Sequence, residues 1–219
     1  MRFAQDDPYP AQARRQTRLT NEARIAVRQH DFPLQFLSEF AREPFKVGAL
    51  WPSSQALAQV VVGGCDIEPG AIVIELGPGT GAFTGLLVNR LDGRGRLLAV
   101  EISLTHVKIL RRQFPRCEVV HGSAENLPRY LDGQRADCIV SGLAWGTMLA
   151  QTQDRILQAT LETLKPDGQF IGFAYAHAVW LPTARRFRRQ LLDRFKRVET
   201  SPIVWRNLPP AFVFRCWRA

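Results

Sequence analysis

The sequence lacks closely spaced cysteines. Its four cysteines, Cys65, Cys117, Cys138 and Cys216, stand 52, 21 and 78 residues apart. A zinc or iron–sulfur site usually needs at least one close pair of cysteines, and no such pair occurs here. The four histidines also show no ligand spacing. We therefore expect reduced, packed thiols and no metal.

Long apolar runs are missing as well. The most apolar late stretch, 170–181, has twelve residues and contains His177, whereas a spanning helix needs about 20 apolar residues. Residues 1–8 lack the apolar core and the cleavage site of a secretory signal. These features predict a cytoplasmic protein whose contact with a membrane is peripheral.

Acidic residues are fewer than basic residues. The 219 residues include 29 Lys+Arg and 20 Asp+Glu, which gives a formal net charge of +9. Such a balance favours a polyanionic partner, either nucleic acid or an anionic membrane surface. The hydrophobic content of 46% is typical of a globular chain, and the length suits one ordinary domain with a sizeable core.

The first 46 residues differ from the rest of the chain. Residues 12–30 read as a basic helix, and its arginines are Arg14, Arg15, Arg18, Arg24 and Arg28. A second helical stretch follows Pro33 and carries Phe36, Leu37 and Phe40 on one side. We expect residues 1–46 to form a membrane-facing lid of N-terminal helices, and residues 47–219 to form the main domain.

From residue 71 onward, short apolar runs alternate with helical segments. The predicted strands are 71–76, 96–101, 117–121, 136–141 and 169–175, and the predicted helices are 81–91, 103–114, 124–130 and 152–164. This alternation is typical of an α/β fold with a mostly parallel sheet. A basic helix at 183–195 then precedes two strand-like runs, 203–206 and 211–218, which predict an antiparallel edge pair.

The basic helix also has an apolar stripe. Residues 185–197 include seven basic residues and one acid, while Phe187, Leu191 and Phe195 recur every four residues. The pattern predicts a helix that rests partly on the sheet and partly on lipid headgroups or phosphates.

Three alternate glycines follow the first strand. The segment Glu75-Leu76-Gly77-Pro78-Gly79-Thr80-Gly81 joins a buried strand to a helix, and Glu101 ends the next strand. Glycine is needed where the backbone turns sharply and comes close to a ligand. A carboxylate at the end of the second strand can accept both hydroxyls of a ribose. The spacing therefore predicts a nucleoside site.

The acid before the turn limits which ligands fit the site. Glu75 would repel a pyrophosphate, and Gly81 comes one residue early for the dinucleotide pattern G-x-G-x-x-G. A nucleoside with a cationic centre fits better, and this indicates S-adenosylmethionine (SAM). The glycine turn could alternatively belong to an NAD-dependent dehydrogenase or have a purely structural role.

These motifs resemble the class I SAM-dependent methyltransferases over residues 48–219. The resemblance implies a Rossmann-like, mostly parallel seven-stranded sheet with added N-terminal helices. It also implies a set of cofactor-binding residues, which comprises Glu75, Gly77, Gly79, Thr80, Gly81, Glu101, Ile102, Ser123, Ala124, Glu125 and Ser141. Ser123 stands where the family often has Asp, and 164–168 resembles the turn before the fifth strand.

Two further stretches, 47–54 and 204–211, resemble bacterial phospholipid N-methyltransferases and the similar ornithine-lipid N-methyltransferases. The resemblance implies methyl transfer to the amine of phosphatidylethanolamine or ornithine lipid at the cytoplasmic face of an anionic membrane. The substrate-binding residues that it implies are Trp51, Ser53, Ser54, Arg206 and Asn207. Alternatively, Pro52-Ser53-Ser54 could simply begin a helix with a serine as N-cap, and residues 207–210 could be only a rigid turn.

The predicted reaction centre lies after the fourth strand. Carbonyls of Ser141, Gly142 and Leu143 would accept the hydrogens of the amine, and Trp145 and Tyr175 would contact it by cation–π interaction. The family often has proline at Ala144. Trp145 could instead be a core residue, and Tyr175 could accept a proton.

Two other functions stay open. The net charge of +9 also suits an RNA methyltransferase, although the Asp/Asn-Pro-Pro-aromatic loop typical of base N-methylation is missing from 141–145. We therefore expect no nucleic-acid partner. A non-catalytic nucleoside-binding protein is the second alternative.

Overall fold

A computed structural model describes residues 54–219 of the chain. The predicted lid of residues 1–46 lies outside the described residues, and so do Trp51 and Ser53. In the described part, no helix is long and apolar enough to cross a membrane. The four cysteines are all buried and free, as the sequence predicted.

Seven strands form one sheet in the order β3-β2-β1-β4-β5-β7-β6. The strands are β1 Ile72–Leu76, β2 Arg96–Glu101, β3 Glu118–His121, β4 Ala136–Ser141, β5 Leu164–Tyr175, β6 Arg197–Thr200 and β7 Ala211–Trp217. Strands β1 to β5 pair in parallel, and β7 runs antiparallel to both β5 and β6. The predicted fold class is therefore confirmed.

Helices cover both faces of the sheet. They are α1 Gln55–Gly63, α2 Thr84–Leu91, α3 Leu104–Gln113, α4 Ala150–Thr163 and α5 Pro182–Arg194, with 3-10 helices at Ala124–Tyr130, Trp145–Thr147 and Ala176–Ala178. One core cluster joins the sheet to α1, α2 and α3, and the other joins it to α4 and α5. Because side chains alternate along a strand, Val73 of β1 enters the first cluster and Ile74 enters the second.

The strand order indicates which edge of the sheet binds ligands. Strand β1 has β2 on one side and β4 on the other, so the order reverses at β1. Open parallel sheets bind ligands at such a reversal, beyond the carboxyl ends of the strands. We call the edge where β1 to β5 end the carboxyl edge.

One predicted strand is wrong. Residues 203–206 were expected to pair with the last strand, but only Val204 does so, through an isolated bridge to Ala211. The partner of β7 is instead Arg197–Thr200. The ladder ends where the N–H of Ser201 donates to the carbonyl of Val213.

The segment 164–168, predicted to be a turn before the fifth strand, also differs from the prediction. It belongs to β5, whose register against β4 shifts between the Ala136–Leu164 and Cys138–Gln169 pairs. The segment is therefore an irregularity at the start of the strand, at the sheet edge opposite the carboxyl edge.

The apolar stripe of α5 is a core element. Phe187, Leu191 and Phe195 are 1%, 0% and 5% exposed. Phe187 stacks on Trp145 with ring centroids 4.3 Å apart and meets Phe214 edge-on at 6.1 Å. The prediction that the helix packs on the sheet is confirmed, and its stripe leaves no surface for lipid, because Trp145, Phe170 and Phe214 cover it. The arginines of α5 face solvent.

We predict that Phe187→Ala lowers the free energy of unfolding by about 3–5 kcal/mol, since it leaves a cavity against Trp145. The matched control is Leu192→Ala on the same helix. Leu192 is 50% exposed, so its change should stay within about 0.5 kcal/mol. Urea unfolding of both variants gives the comparison. Equal, small losses in the two variants would contradict the packing role of the stripe.

Candidate functional site

The glycine turn after β1 is held in the left-handed region. Gly77, Gly79 and Gly81 have φ of +65°, +56° and +91°. A Cβ at Gly77 would lie 2.6 Å from Leu143 Cδ2, and one at Gly81 would clash with the ring of Phe114. A Cβ at Gly79 would meet no heavy atom within 4 Å. Gly77 and Gly81 are thus required by packing, whereas Gly79 borders open space.

Glu101 connects this turn to the end of β2. Its Oε2 accepts a hydrogen bond from the N–H of Gly79 at 3.0 Å, and its Oε1 accepts one from the N–H of Ser103 at 2.8 Å. His106 Nδ1 lies 3.9 Å from Oε1. The side chain is nearly buried, so the structure fixes the carboxylate directly beside Gly79.

Glu75 is the most buried acid of the site, with no exposed surface. The Thr84 hydroxyl donates to its Oε2 at 2.7 Å, and within the described residues its buried Oε1 has no hydrogen-bond partner. Burial raises the pKa of Glu75 to about 7. An acceptor oxygen without a donor therefore lies under the glycine turn.

Beyond β2 and β3 the chain forms the next side of the site. Ile102 is 73% exposed, which is unusual for isoleucine next to a buried acid. Ser123 caps the following 3-10 helix, because its Oγ accepts from the N–H of Glu125 at 3.2 Å. Ala124 is buried, and Glu125 pairs with Arg155 at 2.8 Å. These contacts hold the loop after β3 against α4.

The end of β4 supplies a compact turn. Ser141 Oγ accepts from Trp145 Nε1 at 2.9 Å and from the N–H of Leu143 at 3.3 Å. The carbonyl of Leu143 already accepts from the N–H of Trp145. The N–H of Gly142 donates to the carbonyl of Leu76, which brings this turn against β1.

Trp145 is not available to a ligand. The side chain is 1% exposed, with one face stacked on Phe187 and Phe170 packed edge-on at 6.0 Å. The prediction that it contacts an amine is wrong, because its ring fills the core between β5 and α5. Its indole N–H instead holds Ser141 in place.

Tyr175 lies at the carboxyl end of β5 and is partly exposed. Burial raises the pKa of Tyr175 to about 12, which disfavours the phenolate that a proton acceptor would use. Its ring stacks on His177 with centroids 5.7 Å apart. Partial burial lowers the pKa of His177, which favours the neutral imidazole.

Two of the predicted substrate residues are brought together. Asn207 Oδ1 accepts from the N–H of Ser54 at 2.9 Å, and Asn207 Nδ2 donates to the carbonyl of Pro209 at 2.6 Å. Asn207 is 2% exposed, and Ser54 Oγ caps α1 through the N–H of Leu57. The pair therefore ties the loop before β7 to the start of α1, while Arg206 is exposed.

Sequence reasoning missed three residues of this edge: Thr84, Leu143 as the side chain against Gly77, and His177 on Tyr175. Only His177 left a signal, because it follows a predicted strand end by two residues. In the described part of the chain, no group of three or more metal-binding side chains occurs.

Residues 73–168 match the family described as a methyltransferase domain. The ornithine lipid N-methyltransferase of Singulisphaera acidiphila is 28% identical over 187 residues, which cover 83% of this chain and 93% of that protein. The ribosomal RNA small subunit methyltransferase A of Geobacter metallireducens is 43% identical over 60 residues, but these cover 26% of this chain and 21% of that protein.

Solved structures match the fold. A SAM-dependent O-methyltransferase from Thermotoga maritima superposes with a TM-score of 0.60 at 14% identity, over 81% of this chain and 70% of that one. TrmN from Thermus thermophilus gives a TM-score of 0.59 at 18% identity, over 80% and 52%. With the strand order and the glycine turn, these matches show that residues 73–168 form a methyltransferase domain, that the sheet has the class I fold and that SAM is the cofactor.

Proposed function

We propose that the protein transfers methyl groups from SAM to the amine of a membrane lipid headgroup, phosphatidylethanolamine or ornithine lipid. The observation that carries this proposal is the extent of the match to the ornithine lipid N-methyltransferase, which covers 83% of the chain. That match extends well beyond the length of the segment that forms the glycine turn. Successive transfers to phosphatidylethanolamine would lead towards phosphatidylcholine.

The residues at the glycine turn fit SAM. The open side of Gly79 allows a ligand to approach the backbone, and the carboxylate of Glu101 beside it suits a ribose diol. The unpartnered Oε1 of Glu75 suits the cationic methionine end of the cofactor. Gly77, Thr80 and Gly81 complete the turn.

The adenine end would lie along the next two loops. Exposed Ile102 offers an apolar surface for the base, and the segment of Ser123, Ala124 and Glu125 borders it. Ser123 Oγ already caps its own turn, so we assign the polar contact with the base to this loop's backbone. Ser141 would border the cofactor from the side of β4.

Bound SAM supplies an electrophilic methyl group, and the protein must present a neutral amine to it. A lipid amine is mostly protonated at neutral pH, since alkylamines titrate near 10.4. Desolvation in the site lowers that pKa. We assign the orientation of the amine to the carbonyls of Ser141 and Gly142, since that of Leu143 already accepts from Trp145. Tyr175 contributes its ring face as a neutral phenol.

Residues outside the described range keep their predicted roles. On this proposal, residues 1–46 form a lid that faces the membrane, and Trp51 and Ser53 contact the substrate together with Arg206. The protein would act as a peripheral protein at the cytoplasmic face of an anionic membrane. Ser54 and Asn207 would position this region rather than touch the lipid, because their polar groups are occupied.

An RNA substrate is the competing function. It is favoured by the local matches to ribosomal RNA methyltransferases, one of which is 31% identical over 116 residues, and by the net charge of +9. These matches cover 37% or less of the named relatives. They span only 60 and 116 residues, so they carry little information on the substrate.

The cofactor site is tested at Glu101. We expect Glu101→Gln to weaken S-adenosylhomocysteine binding by about tenfold or more, because hydrogen bonds to a charged group contribute about 1.5–3 kcal/mol. Glu118→Gln is the matched control, since exposed Glu118 pairs with Arg96 at the start of β3. Calorimetry should show no change for this variant. Unaltered affinity in Glu101→Gln would overturn the assignment.

The environment of Glu75 predicts a pH dependence. Its pKa of about 7 in the folded state lies above the ordinary value of 4.5, so the folded protein binds the extra proton in this window. Stability should therefore fall as pH rises from 4.5 to about 7, by up to about 3 kcal/mol. Glu75→Gln should lack this fall when urea unfolding is followed across the same pH range. Parallel profiles for the two proteins would contradict the buried, protonated carboxyl.

The substrate is tested with labelled SAM. We expect label to enter phosphatidylethanolamine or ornithine lipid in vesicles and not soluble phosphoethanolamine, because the proposed site acts at a lipid surface. Glu101→Ala serves as the control that lacks the cofactor contact. Transfer to ribosomal RNA with none to the lipid phase would favour the competing function.

A further inference from the structure

Large apolar side chains are exposed at one edge of the described domain. Eight are at least 39% exposed, namely Ile102, Leu104, Leu149, Trp180, Leu192, Ile203, Trp205 and Leu208. All except Leu192 lie in or next to loops at the carboxyl edge. Two of these seven, Ile102 and Leu104, follow Glu101 and belong to the cofactor side. We call the other five the hydrophobic rim: Leu149, Trp180, Ile203, Trp205 and Leu208.

Chain topology places the rim on the substrate side of the carboxyl edge. Leu149 lies between β4 and α4, and Trp180 lies between β5 and α5. The last three residues of the rim precede β7, whose first residue pairs with Tyr175 at the end of β5. The cofactor residues follow β1, β2 and β3 on the other side of the strand reversal.

Hydrogen bonds join the three loops of the rim. Gln153, in the first turn of α4 near Leu149, donates to the carbonyl of Thr183 at 3.2 Å, three residues after Trp180. The N–H of Ala176 donates to the carbonyl of Pro210 at 2.8 Å, which connects the exits of β5 and the loop before β7. These bonds tie together the three loops that carry the rim.

The loops of the rim carry no negative charge. Segments 142–153, 175–190 and 201–211 contain no aspartate or glutamate but five arginines, four of which lie on α5. One of them, Arg186, pairs at 2.6 Å with Asp154, the residue that follows the first segment. These arginines are Arg185, Arg186, Arg188, Arg189 and Arg206. The guanidinium carbon of Arg185 lies 5.6 Å from the ring centroid of Trp180, and Arg206 follows Trp205 directly. Each of the two rim tryptophans thus has an arginine beside it in space or in sequence.

We propose that the hydrophobic rim is the surface by which the protein docks on an anionic membrane, with the ends of β4 and β5 facing the headgroups. The inference rests on the proposed lipid substrate and adds the orientation of the domain. Tryptophan prefers the bilayer interface, because its ring is apolar and its N–H is polar. Arginine beside it pairs with anionic headgroups, and each basic residue near the surface adds about 1 kcal/mol.

Membrane lipid fits this surface better than RNA or a second copy of the chain. Leu149, Ile203 and Leu208 are aliphatic and gain free energy by entering acyl chains, whereas nucleobases stack on aromatic side chains. A second copy would bring the same arginines against each other, and Asp154, the acid next to the rim, already pairs with Arg186.

The test is vesicle flotation of the full-length protein. The vesicles contain phosphatidylcholine and phosphatidylglycerol without an amine-bearing lipid, so that binding is measured apart from methyl transfer. Trp180→Ala combined with Trp205→Ala should lower vesicle affinity about tenfold or more. Leu149→Ala should lower it about threefold, whereas Leu192→Ala, the matched control on α5, should not change it. Affinity for S-adenosylhomocysteine should be unchanged in all variants, which verifies their fold.

A second measurement detects insertion of the rim tryptophans into the bilayer. Brominated lipids should quench the tryptophan fluorescence of the wild-type protein, and Trp180→Phe with Trp205→Phe should remove most of that quenching. Equal flotation, or equal quenching, in rim variants and wild type would overturn the proposal. So would rim variants that lose RNA binding or self-association while they keep vesicle binding.

The outcome separates this inference from the proposed function. Lipid methylation by the wild type, together with unchanged vesicle binding by rim variants, would overturn the rim and leave the function. Loss of vesicle binding by rim variants, with no label in any lipid, would support the rim and overturn the function.

Discussion

The contact between the ends of β1 and β4 sets the geometry of the site. The N–H of Gly142 donates to the carbonyl of Leu76 at 2.8 Å, and a Cβ on Gly142 would lie 2.5 Å from the carbonyl oxygen of Gly77. The two strands therefore touch at their ends without intervening side chains. Beyond this point the two chain segments lead in opposite directions along the sheet, since β2 adjoins β1 on one side and β5 adjoins β4 on the other. The glycine turn, the two acids and the turn after β4 all depend on that divergence, which makes room for a ligand.

The two acids at this point have different surroundings, and the difference suits different tasks. Glu101 receives two backbone N–H groups, so its carboxylate is oriented before a ligand arrives. Glu75 receives one hydroxyl and is fully buried, and desolvation raises its pKa to about 7. Such a carboxyl is poised near neutral pH, and a cation at its free oxygen would favour the charged form. A buried acid that costs stability in the empty protein can therefore regain that cost when a cationic ligand binds.

Local sequence patterns predicted the parts of the fold that depend on neighbouring residues. The bounds of β2 and β4 agree with the prediction, and the turn from Gly77 to Gly81 and the acid Glu101 lie together as expected. Contacts between distant segments were not predictable in the same way. The stripe of Phe187 reads as amphipathic in isolation, and only the stacking on Trp145 shows that the core covers it. The short, charged strand Arg197–Thr200 has no strong strand pattern in its sequence, yet it pairs with β7. The run 203–206 has such a pattern, yet it contributes only one bridge.

The division of the carboxyl edge into two halves has a consequence for how the domain meets its substrate. The acids Glu75 and Glu101 lie on the half formed by β1 and β2, where a cationic cofactor needs them. The loops after β4 and β5 and before β7 have no acid, although aspartate and glutamate are common in loops. Negative charge near the rim would repel an anionic surface. The acids under the glycine turn lie on the other half of the edge, and burial favours the neutral form of Glu75. On the proposed docking, one orientation of the domain suits both halves: the cofactor would stay inside the edge, and the rim with its arginines would face the headgroups.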